Sequence, residues 1–165
     1  GSCKEEEMTK PDPKVISGGV AVDDRGSVTF VNDFDFSGVK RFYQVQNHRR
    51  GFIRAWHGHK KEAKYVYVPS GSALVGAIPM PEYVYMDEIG GDVEIIPGDK
   101  RPEKFVLSSK SPKVLYIPEN YANGFMTLEE NTIVQFFSTS TLEESLGDDM
   151  RFDFDKWNIW KEDFR

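Results

Sequence analysis

The sequence predicts a single all-β domain, a barrel or sandwich of short strands, and three observations support this. Its 165 residues suit one domain with one hydrophobic core. Short runs rich in Val, Ile, Phe and Tyr recur about every 8 to 12 residues, which is typical of strands in such folds. Clusters of Gly, Pro, Asp and Ser separate these runs, and no long helical period precedes the C-terminal residues.

The elements follow from this pattern in chain order. Residues 1–14 are charged, contain two prolines and show no apolar period, so we expect a flexible lead-in. The expected strands are the β-like runs 15–22, 27–31, 39–45, 51–56, 64–68, 72–78, 92–96, 104–107, 113–117, 124–128 and 132–138. Residues 142–164 are expected to hold one or two short helices, packed by Trp157 and Trp160. The predicted domain therefore covers residues 15–165.

The composition argues against several classes of function. A net charge of -6 disfavours a nucleic-acid partner, because binding a phosphate backbone requires a basic face. The single cysteine, Cys3, permits no disulfide within the chain. No apolar run approaches the roughly 18 residues that a membrane span requires, and no signal peptide is visible. We therefore expect a cytoplasmic protein without a membrane or nucleic-acid partner.

The segment 51–59 (GFIRAWHGH) carries two histidines on a predicted strand. His57 and His59 are two residues apart, so their side chains are expected on the same face. Together with Lys64 and Asn123, they are similar to the metal-ligand pattern of the cupins, in which Glu and His stand at the positions of Lys64 and Asn123. An ammonium group repels a divalent cation, so we expect no metal. A metal held by the two histidines and other carboxylates, as in a dioxygenase, stays open as an alternative.

Five motifs in order resemble a group of metal-free cupins, the dTDP-4-dehydrorhamnose 3,5-epimerases and the related dTDP-sugar 3,4-ketoisomerases. The matching segments are Asp24-Arg25-Gly26, Gln46-Asn47, Arg54 to His57, Lys64 seven residues before Gly71, and 117–125 (IPENYANGF). The runs 39–43 (VKRFY) and 57–60 (HGHK) resemble the ketoisomerase version. The resemblance implies a cupin barrel (a double-stranded β-helix, or jelly roll), with an RmlC-like domain over residues 15–165.

The resemblance also implies roles for individual residues. His57 is the expected catalytic base, Lys64 lies beside it, and His59 is a second acid or base. Arg25 and Arg54 are expected to bind the diphosphate of a nucleotide-linked sugar. The other expected substrate-binding residues are Gln46, Asn47, Tyr121 and Asn123. No cofactor is implied, and barrels of this family usually form homodimers by exchanging N-terminal strands.

The chemistry of a 4-keto sugar explains these residue types. The protons at C3 and C5 are acidic because the carbanion delocalises into the C4 carbonyl as an enolate. Epimerisation needs a base to remove such a proton, an acid to return one from the opposite face, and charge stabilisation near the C4 oxygen. His57 is suited to the role of the base, because the unperturbed pKa of a histidine, about 6.5, lies near the working pH. The ammonium group of Lys64 is suited to stabilising the negative charge on the enolate oxygen.

The sequence departs from the epimerase pattern in three places. In the entry motif, the acidic residue expected five positions after Arg25 is Phe30. The family's proton donor is a Tyr eleven residues after the last Phe of the 117–125 motif, and this position is Phe136 here. The family's carboxylate that orients the base follows a Trp, where this chain offers only Asp163, or alternatively Asp153 or Asp155.

The predicted function is therefore epimerisation of a nucleotide-diphospho-4-keto-6-deoxy sugar at C3, C5 or both. Migration of the ketone, as in a 3,4-ketoisomerase, is the alternative reaction. A module that binds the sugar nucleotide without catalysis is the alternative from another class.

Overall fold

A computed structural model of the chain describes residues 11–161. Strands dominate this part of the chain. In order they are Lys14–Ser17 (β1), Gly19–Asp23 (β2), Gly26–Phe30 (β3), Arg41–Gln46 (β4), Ile53–His59 (β5), Lys64–Ser70 (β6), Ser72–Pro79 (β7), Glu82–Met86 (β8), Gly91–Ile95 (β9), Glu103–Ser108 (β10), Lys113–Ile117 (β11), Tyr121–Thr127 (β12), Ile133–Ser138 (β13) and Met150–Arg151 (β14). A 3-10 turn spans Pro97–Asp99, and a helix, α1, spans Leu142–Leu146.

The strands form two antiparallel five-stranded sheets and two separate hairpins. The first sheet has the order β1-β11-β6-β13-β4, and the second has the order β10-β7-β12-β5-β14. Neighbouring strands in both sheets are mostly distant in sequence, which is the connectivity of a jelly roll. The pairs β2–β3 and β8–β9 stand outside these sheets. The all-β class predicted from the sequence is confirmed.

The hydrophobic core lies on both sides of the second sheet. Its larger cluster fills the space between the two sheets, where Val66 of the first sheet and Val75 of the second are both fully buried. The smaller cluster covers the outer face of the second sheet around Trp56, whose ring lies 4.9 Å from that of Trp157 and 5.1 Å from that of Trp160. Aromatic rings bury large apolar areas, so these contacts hold the C-terminal segment on the barrel.

A β-bulge in β5 determines which of its side chains face the barrel interior. Along β12, Asn123 and Phe125 are two residues apart, whereas their partners on β5, His57 and Arg54, are three apart. The extra residue lets Arg54 and His57 share one face, which strict alternation would forbid. Gly124 faces the bulge, and a Cβ there would lie 2.4 Å from the Cβ of Ala55, so a larger residue would not fit.

The two ends of the chain differ in detail from the sequence-based expectation. Residues 1–10 lie outside the described part, and β1 begins at Lys14, one residue inside the segment predicted to be flexible. The predicted run 15–22 is divided at Gly18, where a Cβ would come within 2.1 Å of the Phe30 carbonyl oxygen. Near the C-terminus the helical element is the five-residue α1, and Trp157 and Trp160 lie in irregular chain. No helix within residues 11–161 is long and apolar enough to span a bilayer.

Candidate functional site

A cavity of about 270 Å³ opens between the two sheets at one end of the barrel. Its wall combines charged, polar and apolar side chains from β4, β5, β6, β12 and β13 with residues of α1 and the segment after it. The lining residues are Arg41, Tyr43, Val45, Arg54, His57, His59, Lys64, Asn123, Phe125, Phe136, Ser145, Leu146, Asp149 and Arg151. A concave site with several convergent charged groups is typical of a binding pocket for a small polar ligand.

His57 and Lys64 bring an imidazole and a buried cation into this cavity. His57 is half-buried on β5, and Lys64, at the start of β6, is only 7% exposed. Burial, followed by the nearby Lys64 charge, lowers the pKa of His57 from its ordinary value of 6.5, while Asp149 opposes the shift. A histidine with a lowered pKa is neutral at pH 7 and therefore able to accept a proton.

The ammonium group of Lys64 lies in a mixed environment. Burial lowers the pKa of Lys64, and the negative charge of Glu62 opposes this shift. Its Nζ also lies 5.7 Å from the ring centroid of Phe136, on which it makes a cation–π contact. A lysine with a lowered pKa stabilises a developing oxyanion and releases a proton more readily than a solvated one does.

Glu62 is the centre of a buried polar network beside the cavity. Its side chain is fully buried in the turn between β5 and β6. Its carboxylate oxygens lie 3.1 Å from Nε2 of His59 and 3.3 Å from the guanidinium group of Arg41. The hydroxyl of Ser145 donates a hydrogen bond of 2.9 Å to it, and the hydroxyl of Ser138 donates another. These four partners compensate for the loss of water around the buried carboxylate.

The segment after α1 is tied to β5, which brings further side chains to the cavity. The carboxylate of Asp148 accepts hydrogen bonds of 3.0 and 2.8 Å from the backbone N–H groups of Lys60 and Lys61. Strand β14 then pairs with β5, so that Arg151 lies opposite His57. Asp149 lies between these anchors, 3.7 Å from Nε2 of His59 and 3.1 Å from Nε of Arg151.

Tyr43 adds a hydroxyl-bearing ring next to Phe136. The two residues pair across β4 and β13, and their rings stack with centroids 5.0 Å apart and planes 14° apart. Burial, followed by the charge of Glu62, raises the pKa of Tyr43 to about 12. The phenol therefore keeps its proton at neutral pH and is able to donate it.

The structure brings some of the predicted site residues together and leaves others apart. The cavity wall contains His57, His59, Lys64, Arg54 and Asn123. The amide of Asn123 also donates a 3.4 Å hydrogen bond to the His57 carbonyl oxygen.

Asn47 and Gln46 do not line the cavity. The side-chain oxygen of Asn47 accepts a hydrogen bond of 2.6 Å from Nε of Arg54, so Asn47 acts on the cavity only by holding this arginine. Gln46 is exposed because it alternates with Val45, whose side chain faces the interior.

Tyr121 and Arg25 also lie apart from the cavity wall. The hydroxyl of Tyr121 approaches Asp12 at 3.5 Å, and its ring belongs to the core. Arg25 stands on the β2–β3 hairpin with its side chain 86% exposed, held by an ion pair of 2.6 Å with Asp23. A two-residue turn on a solvated hairpin has no contact that would direct this side chain into the barrel.

Sequence reasoning missed five charged or polar residues that surround the predicted pair of histidines: Arg41, Glu62, Ser145, Asp149 and Arg151. Alternation along β4 and the resemblance of its VKRFY run to the ketoisomerases could have indicated Arg41. Glu62 lies in a turn and Asp149 follows a helix, so no periodic pattern marks them. The candidates Asp153 and Asp155 are exposed and do not line the cavity, and Asp163 lies outside the described residues.

The donor groups at the cavity do not form a recognised metal-binding set. Among residues 11–161, no group of three or more His, Cys, Asp or Glu side chains is arranged to hold a metal ion.

Comparison with known proteins identifies solved structures of the same fold. A dTDP-4-dehydrorhamnose 3,5-epimerase from Bacillus anthracis str. Ames superposes with a TM-score of 0.69 at 20% identity, over 90% of this chain and 83% of that one. The corresponding enzyme from Sulfolobus tokodaii gives 0.67 at 23% identity, over 89% and 81%. A 3,4-ketoisomerase from Helicobacter canadensis gives 0.61 at 16% identity, over 88% and 94%. No protein-family model matches the chain, and no curated protein does. The predicted RmlC-like cupin fold is confirmed.

Proposed function

We propose that this chain is a sugar-nucleotide isomerase that epimerises a nucleotide-diphospho-4-keto-6-deoxy sugar at C3, C5 or both. One observation carries the proposal: His57 and Lys64 line the same cavity, so that a base and a cation face one bound sugar ring. The solved structures of this fold add support, since they include a 3,5-epimerase with TDP bound and a 3,4-ketoisomerase in complex with TDP-4-keto-6-deoxyglucose.

The proposed reaction begins with proton abstraction by His57. Neutral His57 removes the proton on the carbon next to the C4 ketone, and the electron pair moves into the carbonyl to form an enolate. Lys64 stabilises the negative charge on the C4 oxygen. An acid on the opposite face returns a proton to the same carbon and regenerates the ketone with inverted configuration. Tyr43 is the proposed acid, because it faces the cavity beside Phe136 and keeps its proton at neutral pH.

Migration of the ketone to C3 is the second candidate, and the position of His59 favours it. This reaction starts with the same proton abstraction, but the enediol is reprotonated at C4 while the C3 hydroxyl loses its proton. It therefore needs a further group that exchanges protons with oxygen. His59 lies in the cavity wall against Glu62 and is available for this step.

The substrate-binding groups are divided between the cavity and the hairpin. Arg54, held by Asn47, lies in the cavity wall and is proposed to bind the diphosphate. Arg25 is proposed to reach the site of a second copy of the chain, in a homodimer. The exposed Val22 and Val28 on the same hairpin support this, because apolar side chains on a protruding hairpin favour a covering partner.

The proposal includes a reaction without a bound metal in a cytoplasmic enzyme. A buried ammonium group and an amide, at Lys64 and Asn123, occupy the positions at which a metal cupin has carboxylate and imidazole ligands. The negative net charge and the three arginines in the cavity suit a small anionic substrate rather than a nucleic acid.

Incubation with dTDP-4-keto-6-deoxyglucose in deuterated water tests the proposal. Epimerisation places deuterium at C3 or C5 and leaves the ketone at C4, whereas migration places deuterium at C4 and moves the ketone to C3. Proton and carbon NMR spectra of the product separate the two. A His57→Asn variant is expected to lose at least about a hundredfold of the rate, since it keeps a polar side chain but removes the base.

A different outcome would replace the proposal. Stabilisation of the protein by dTDP-sugars in a thermal-shift assay, without any deuterium exchange, would indicate a binding module. Stoichiometric iron, zinc or manganese in the purified protein, with activity lost on its removal, would indicate a metal enzyme instead.

A further inference from the structure

The β8–β9 hairpin lies outside the two five-stranded sheets and is attached to the barrel at its base. Ile96, directly after β9, packs against the smaller core cluster, and Nζ of Lys156 lies 2.9 Å from the carboxylate of Glu94. The hairpin exposes a group of large apolar side chains: Tyr83, Val84, Tyr85, Met86, Ile89 and Ile95. A two-stranded ribbon alone is marginally stable in water, so this hairpin is suited to the addition of further strands.

The outer edge of β8 has no backbone partner within residues 11–161. Strand β8 pairs with β9 in an unbroken register from Glu82 to Met86, and the only other backbone groups bonded to it belong to its own turn. An unpaired edge presents a row of backbone N–H and C=O groups to another strand. Lysine, proline and bulges usually protect such an edge, and β8 (EYVYM) contains none of them.

The two strands of the hairpin differ in charge. In β8 the only charge is Glu82, at the first position, whereas β9 carries Asp92 and Glu94, which share one face. If β9 paired antiparallel with its own copy about Val93, Asp92 would lie opposite Glu94, and like charges directly opposite each other destabilise a sheet. The β9 edge is therefore protected by charge, and β8 is the edge that is open to pairing.

Strand β8 is complementary to itself. Two antiparallel β8 strands overlap over all five residues when Val84 lies opposite Val84 of the second copy. Tyr83 then lies opposite Tyr85, and Glu82 lies opposite Met86, so no carboxylate faces another across the pair. Cross-strand pairs of aromatic residues stabilise antiparallel sheets, and this register contains two Tyr–Tyr pairs.

We propose that the β8 strands of two copies of this chain pair antiparallel about Val84 and form one four-stranded sheet across a two-fold axis. The arrangement is closed, because the acidic β9 strands then form both outer edges. This inference goes beyond the proposed function and does not depend on it. It uses a different surface from the β2–β3 hairpin, so a chain that pairs through both hairpins forms a tetramer.

Disulfide cross-linking tests the pairing directly in the full chain, with Cys3→Ser as the background because Cys3 is the only cysteine. Residues directly opposite in an antiparallel pair have Cα atoms about 4.5 to 5.5 Å apart, a separation that a disulfide spans. With oxidised glutathione, Val84→Cys is expected to give a covalent dimer on a denaturing gel. Ile89→Cys, in the turn and 67% exposed, is the matched control. It is expected to remain mostly unlinked, because the two turns lie at opposite ends of the paired sheet.

Charged replacements of Val84 test the symmetry of the pairing. Val84→Lys and Val84→Glu each place like charges opposite each other, so light scattering is expected to give each variant half the wild-type mass. An equimolar mixture of the two variants places opposite charges across the pair and is expected to regain the wild-type mass. Val106→Lys, the same replacement at another exposed strand position, is expected to keep the wild-type mass.

Three results would each overturn the inference: a wild-type chain that is monomeric at every concentration, a Val84→Lys variant with the wild-type mass, or cross-linking of Ile89→Cys as fast as that of Val84→Cys. The first would leave the β8 edge for a strand of another protein. If the charged variants do not fold, the cross-linking decides. No substrate is present in these measurements, so failure of the proposed function is distinguishable from failure of the pairing.

Discussion

The cavity wall and the β2–β3 hairpin both carry residues that the sequence relates to one substrate, but they differ in what holds those residues in place. In the wall, Lys64 is buried by the core of its own chain, and Glu62, beside the cavity, is held by four partners. On the hairpin, the side chain of Arg25 is 86% exposed, and its ion-pair partner is two residues away. The fold of one chain therefore positions the side chains of the wall, whereas the role proposed for the hairpin requires a second copy of the chain.

This difference predicts unequal effects of substitution. A change in the wall alters the reacting groups and is expected to affect kcat strongly within a single chain. A change on the hairpin is expected to weaken substrate binding moderately. In the proposed dimer, it is expected to affect the site of the partner copy.

The largest effect is expected for Lys64→Met, which keeps the length of the side chain but removes its charge. Loss of the group proposed to stabilise the enolate should lower kcat by about 10² to 10³. The Lys64 charge also lowers the pKa of His57. In the wild-type protein, activity is expected to fall as the pH drops through this lowered pKa, because the protonated ring cannot accept a proton. In Lys64→Met, the acid limb of kcat/KM is expected to move to higher pH.

The matched control for this variant is Lys61→Met, in the turn just before β6 and with an exposed side chain. It should retain both the wild-type rate and the wild-type acid limb. If Lys64→Met kept the full rate, the ammonium group would have no part in the chemistry. If the rate fell but the acid limb stayed in place, the acid limb would not report the titration of His57.

A smaller loss is expected for Tyr43→Phe, which removes one hydroxyl and keeps the ring stacked on Phe136. If Tyr43 returns the proton, kcat should fall by about 10² with KM nearly unchanged. Exchange of the substrate proton with solvent should continue, because His57 is intact, while the inverted product becomes scarce. Parallel measurement of deuterium exchange and product formation separates the two steps. Tyr85→Phe, on the exposed β8–β9 hairpin, is the control. Equal loss of exchange and product would assign Tyr43 to another step.

The same contrast explains how much of the molecule the sequence predicted. Strands such as β6 and β13 were predicted because they are short runs rich in Val, Ile, Phe and Tyr, separated from their neighbours by turn residues. Strand β8 (EYVYM) has a similar composition but was not predicted; all five of its residues are exposed, on a hairpin outside the two large sheets. His57 and Lys64 were found through motifs on strands. Glu62 was not, because a turn residue that becomes buried by contacts with three other segments leaves no signal in its local sequence.

The smallest effect is expected on the hairpin, for Arg25→Ala. Loss of one charge-assisted contact with the diphosphate should weaken binding of dTDP by about tenfold and raise KM, with kcat nearly unchanged. Arg101→Ala, at another exposed position, is expected to bind dTDP normally.

Co-expression of Arg25→Ala with the inactive His57→Asn variant tests whether the hairpin acts across chains. If Arg25 completes the site of a partner copy, each mixed dimer contains one site with both residues intact, so about a quarter of all sites are restored. At low substrate concentration the mixture should then be several-fold more active than Arg25→Ala diluted to the same concentration. If Arg25 serves its own chain, no mixed dimer has an intact site, and the activity should equal that of the diluted variant. That result would mean that Arg25, like the residues of the cavity wall, acts on the site of its own chain.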